Sequence, residues 1–65
     1  MKIDPRKVKL ARARACMTVA KIVEKENIPR STVNRAINGG QTSPETAGRI
    51  ARALGVDVAE IIVEE

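Results

Sequence analysis

Between Arg30 and Asn38 the chain sets arginine, serine, threonine and asparagine at spacings that gather them on one side of a helix. At roughly 100° per residue, Ser31, Asn34, Arg35 and Asn38 share a face, Arg30 and Thr32 flank it, and Val33, Ala36 and Ile37 lie opposite. A helix face that serves only solubility more often carries Glu and Lys. This one carries groups that hydrogen-bond in defined geometries. A guanidinium bridges two acceptors of guanine, a carboxamide pairs with adenine, and a hydroxyl donates or accepts. Threonine adds a methyl that suits thymine or a hydroxyl that suits phosphate. The chemistry on offer is recognition of a nucleic acid.

Catalysis has no comparable constellation. The chain contains no histidine, so the single thiol, Cys16, has no imidazole to activate it. No cluster of metal ligands and no glycine-rich phosphate cradle stands out, which predicts a protein that is not an enzyme and uses neither metal nor cofactor. Cys16 cannot form an internal disulfide and is expected to be a buried or half-buried spectator in a reducing compartment. No apolar run approaches the ~20 residues of a membrane span and no signal peptide is visible, which predicts a cytoplasmic protein with no membrane partner.

Charge agrees with a polyanionic partner. The net charge is +4, but its distribution is more telling. Residues 1–21 balance to +6, residues 22–40 to +1 and residues 41–65 to −3. A positive pole at one end and acidic residues at the other can steer a protein onto a phosphate backbone in one orientation.

The polar face needs neighbours to hold it. Thr18 caps a helix over residues 18–26, on which Val19, Ile22 and Val23 form one apolar stripe. Asn27 tolerates the left-handed conformation of a helix end, Ile28 turns inward as a plug, and Pro29 pre-sets the φ of the next helix, over 30–38. Gly39-Gly40 ends that helix. Two short helices joined by a tight turn result. Upstream, Asp4-Pro5 starts a helix over 5–15 whose inward face is thin, with Val8, Ala11 and Ala15 inside and Leu10 to one side. Met1 to Ile3 are predicted to be a loose arm. Downstream, Ser43, Pro44 and Glu45 open a helix over 44–54 with Ala47, Ile50, Ala51 and Leu54 inward, closed by Gly55. Val56 fills a core position. Asp57 and Glu60 have the spacing of a capping box and predict a fifth helix over 58–63, ahead of Glu64-Glu65. With 0% aromatic residues the core is aliphatic, and 65 residues make one all-α domain of modest stability.

The segment R-S-T-V-N-R at Arg30–Arg35, followed by Asn38-Gly39, resembles the second helix of the phage-repressor and Cro-like (XRE) helix-turn-helix family. It is also similar to the opening motif of the lac-repressor family. That family has no helix matching residues 5–15, and it lacks the ending A-R-A-L-G-V-D-V-A-E-I-I at Ala51–Ile62. The ending and the order of elements are similar to the repressor family over about residues 6–62. Departures occur at Cys16, where Gly is usual, and at Val19, often Gln. Others are Val23, usually Ala, Glu26, often apolar, and Ile37, often a Glu that pairs with an arginine of the first helix.

The resemblance implies a compact five-helix, lambda-repressor-like DNA-binding domain with helices 2 and 3 as the helix-turn-helix. It implies a transcriptional repressor that inserts helix 3 into the major groove of double-stranded DNA. Arg30, Ser31, Asn34 and Arg35 would read base edges. Thr18, Thr32, Asn38, Arg12, the Gly39 backbone and Thr42 would contact or flank phosphates, Arg12 being freed by the loss of its glutamate partner. Members usually bind as dimers, and Ile61, Ile62 and Val63 offer apolar surface for a homodimer. Two other readings share the fold. One is an antitoxin or similar interaction module that holds a protein partner through helix 5 and the acidic end. The other is a DNA-bending recombination factor.

Overall fold

The computed structural model describes residues 1–63 and contains four α-helices, α1 (Pro5–Ala15), α2 (Val19–Glu26), α3 (Arg30–Ile37) and α4 (Pro44–Leu54), followed by a 3-10 turn at Val58–Glu60. Local signals set these bounds. Asp4 accepts from the Arg6 and Lys7 N–H groups, Thr18 from Lys21 and Ser43 from Thr46, each pairing donors that a first turn leaves open. Pro29 stands at the N-cap of α3 (φ −55°, ψ 140°) and not inside the helix, and no side chain caps that end. Asn27 and Gly55 close α2 and α4 in the left-handed region, at φ 53° and 71°.

Cys16 closes α1 in the same way, at φ 53° and ψ 42°, and is exposed, not buried or half-buried as expected. A side chain with a Cβ is strained there by about 1–2 kcal/mol, of which glycine's greater freedom when unfolded takes back about half. Cys16→Gly is therefore expected to stabilise the domain by about 0.5–1 kcal/mol, read as a higher urea midpoint. A lower midpoint would show that Cys16 stabilises through a contact not evident in its exposed position.

The core lies where α2 packs across α3 and α4, with α1 laid on α3 and α4. Ile22 from α2, Val33 from α3 and Ile50 from α4 are fully enclosed. Ala36, Ala47, Ala51 and Ala53 are buried with them and let the helices approach closely. Val19 and Val23 are half-buried against this cluster, and Ile28 plugs the turn as its type suggested.

Both chain ends differ from expectation. No helix forms over 58–63. The capping box at Asp57 and Glu60 is made, but it opens only the 3-10 turn, after which the chain extends. Ile61, Ile62 and Val63 are β-branched and suit an extended backbone. That backbone finds a partner in the N-terminal segment: the Asp4 N–H donates to Ile61 O at 2.8 Å and the Val63 N–H to Lys2 O at 2.9 Å. On its other side the segment accepts from the Thr42 N–H at Met1 O, 2.9 Å. Residues 1–4 are thus not a loose arm but a strap between the loop after α3 and the segment after the 3-10 turn, with Ile3 0% exposed beneath it. Glu64 and Glu65, the acidic end, lie outside the described residues.

Glu26, placed where an apolar residue would be usual, is held by Arg52 of α4 through two hydrogen bonds of 2.6 and 3.3 Å. The hydrogen bond from Arg52, helped by its charge, holds the Glu26 carboxyl below its ordinary value of 4.5. Because the folded state lowers this pKa, the stabilisation is complete above about pH 4.5 and is lost as pH falls through the lowered value. The stability difference between the native chain and Arg52→Met should therefore shrink towards zero on acidification from pH 7 to 3. A difference that stayed constant to pH 3 would contradict a role for the ionised pair.

Candidate nucleic-acid interface

Helix α3 is held by one face only. Val33, Ala36 and Ile37 are 0%, 0% and 9% exposed, and on the other side Arg30, Ser31, Asn34, Arg35 and Asn38 are exposed while Thr32 is half-buried. Among the described residues no hydrogen bond or ion pair engages the side chains of these six. The uncapped start of α3 adds the N–H groups of Arg30 and Ser31, whose partial positive charge favours an anion. The face therefore presents fork, amide and hydroxyl donors on one rigid element, with none spent internally.

The other cations divide by position. Arg52 binds Glu26, Arg49 binds Glu45 at 3.2 Å, Lys25 donates to Ala53 O and Lys7 to Ile62 O. Those without a partner among the described residues are Lys2, Arg6, Lys9, Arg14, Lys21, Arg30 and Arg35, all within the first 35 positions. The basic pole of the sequence is thus also the pole of available cations, which is the distribution a phosphate backbone selects.

Arg12 and Thr18 come together at a shallow cleft of about 320 Å³ between the end of α1 and the start of α2, lined also by Lys9, Ala13, Cys16 and Met17. Thr18 accepts from the Lys21 N–H at 3.2 Å, which leaves its own O–H to donate outward. Arg12 is less free than expected. With Ile37 in the core in place of a pairing glutamate, its Nε turns to Met17 O at 3.3 Å, leaving the two terminal nitrogens. Lys9, one helical turn before Arg12, shares this cleft, and its i, i+3 spacing was the signal for it.

The turn after α3 corrects a second expectation. The N–H groups of Gly39, Gly40 and Thr42 are all committed, to Ala36 O (3.3 Å), Arg35 O (2.9 Å) and Met1 O (2.9 Å). These three backbone donors are therefore not available to a phosphate, and of the expected contacts here the side chains of Asn38 and Thr42 remain. Gly39, at φ 89°, brings the end of α3 against Pro5 of α1, whose Cγ would lie 3.4 Å from a Cβ added to the glycine.

Of the three residues expected to hold a second copy, Ile61 is 0% exposed and belongs to the core. Ile62 is half-buried beside Ile3, and Val63 is 39% exposed. Leu10, at 55%, is the most exposed large apolar side chain. It lies in a small depression with Lys7, Ala11, Arg14, Val56 and Glu60, on the flank of α1 away from Arg12. Among the described residues no helix is long and apolar enough to cross a membrane.

Comparison with curated proteins and with solved structures gives no match. A family profile described as a helix-turn-helix matches residues 8–61, which takes in α2, α3, α4 and all but the first turn of α1. The strap at residues 1–4 falls outside the matched residues, while its partners Thr42 and Ile61 lie within them. With the fold and the match in agreement, the chain belongs to the DNA-binding helix-turn-helix family of the phage-repressor and Cro-like (XRE) type.

Proposed function

We propose that the protein is a sequence-specific transcriptional repressor that inserts α3 into the major groove of double-stranded DNA. The observation that carries this reading is the exposed face of α3, whose six polar side chains have no partner among the described residues. Arg30, Ser31, Asn34 and Arg35 read base edges. Thr32, Asn38 and the Thr42 hydroxyl contact backbone beside α3, while Thr18, Arg12 and Lys9 hold the phosphates that meet the cleft between α1 and α2.

A second copy binds the adjoining half-site, about one helical turn away, by contact across Ile62 and Val63. Selection of bound sites from random duplex DNA tests the whole reading. An enriched inverted repeat is expected, and recovery of no enriched sequence would overturn sequence-specific binding.

Phosphate contacts respond differently from base contacts. Arg12→Ala should weaken binding to every duplex alike and lower the slope of log affinity against log salt by about 1. A change in the preferred sequence would instead make Arg12 a reader of bases.

A further inference from the structure

We infer that Gly40 is a positioning residue for Arg35: the space left by its missing Cβ is the path that the arginine's stem takes. This rests on the reading of Arg35 as a base-contacting residue and deepens it. Three of the four helices end in one motif, in which a left-handed residue and the one after it donate back to carbonyls of the last turn. In α1 these are Cys16 to Ala13 and Met17 to Arg12; in α4, Gly55 to Arg52 and Val56 to Ala51; in α3, Gly39 to Ala36 and Gly40 to Arg35. The second residue of each pair folds over the one five positions earlier.

Gly40 alone among these second residues has no side chain. The motif itself does not demand this, because Met17 and Val56 hold the equivalent place and the positive φ belongs to Gly39. The demand comes from Arg35. A Cβ added to Gly40 would stand 2.7 Å from Arg35 Cγ and 2.9 Å from Arg35 O. Cγ is not the far end of a flexible chain and yields only if the arginine changes its course, whereas the carbonyl yields only if the backbone shifts.

Helix α1 supplies the contrast. Arg12 is the counterpart of Arg35 there, it faces Met17, and its Nε is tied to Met17 O at 3.3 Å. Arg35 has no such bond and stays exposed. Glycine at position 40 therefore keeps an arginine at the end of α3 on an outward path. Its contribution is to sequence preference.

The test is a double-mutant cycle of Gly40→Ala and Arg35→Ala, reading affinity for a selected duplex and for variants changed at each base pair. Gly40→Ala should lose about tenfold in discrimination at the base pair that Arg35 governs and have little effect on discrimination once Arg35 is alanine. The contact with Arg35 O lowers the melting temperature in both backgrounds, so a purely structural role would move stability and leave preference alone. If Arg35→Ala changes the preference and Gly40→Ala does not, the positioning role is wrong. If Arg35→Ala itself leaves every preference unchanged, the base-reading role falls and this inference with it. Should Gly40→Ala not fold, the native chain still decides: an NMR cross-peak between Gly40 Hα and the Arg35 Hγ protons is expected, and its absence would overturn the inference.

Discussion

Replacing Arg35 with alanine is expected to cost about 1–3 kcal/mol of binding to the preferred duplex, roughly 5- to 150-fold, and to relax preference at one base pair. The cost should fall on recognition. Arg35 is exposed and bonded to nothing among the described residues, so its removal leaves no buried group unpaired and should shift stability by less than about 0.5 kcal/mol. Fluorescence-anisotropy titrations of duplexes varied one position at a time would show one position losing its preference while the others keep theirs. Unchanged affinity for the preferred duplex would remove Arg35 from the base-reading surface. A uniform loss across all duplexes would make it a phosphate contact.

Ile3→Ala is expected to have the largest effect on stability. Ile3 is 0% exposed within the main cluster, and truncating a buried isoleucine to alanine costs about 2–5 kcal/mol through lost burial and the cavity left behind. A chain of 65 residues holds only about 3–10 kcal/mol in total, so this one change should remove a large share of it. At several degrees per kcal/mol for a domain of this size, the midpoint of thermal unfolding should fall by about 10–30 °C. The exposed neighbour Lys2 supplies the control, since Lys2→Ala keeps the strap's backbone bonds and should change little. A melting temperature unmoved by Ile3→Ala would mean that the N-terminal segment is loose in solution.

The strap also shows where reading from sequence stops. The helices and their limits were legible because their determinants are local. Thr18, Asn27, Ser43 and Gly55 mark ends by their own chemistry, and Val33, Ala36 and Ile37 identify the buried side of α3 by spacing alone. The exposed polar face of α3 followed from the same periodicity. The strap was not legible, because its partners at Thr42 and at Ile61 to Val63 are about 40 to 60 positions away and no local pattern signals the pairing. The expected fifth helix failed for a related reason. A capping box specifies how a helix begins and not how far it runs, and the β-branched run Ile61-Ile62-Val63 was the available warning. Glu26 looked like a weakness in the core until Arg52, in another helix, supplied its partner. Arg12 looked free because its glutamate was missing, and a backbone carbonyl, which no sequence motif marks, took the vacant role.

An NMR titration of the isotope-labelled chain with a duplex recovered by selection tests the mode of binding most directly. If α3 enters the major groove, the largest shifts on binding fall on Arg30, Ser31, Asn34 and Arg35, with a second group at Lys9, Arg12 and Thr18, while Glu45, Arg49 and the 57–60 turn stay nearly unmoved. Shifts centred on α4 and the 57–60 turn, with α3 undisturbed, would contradict it.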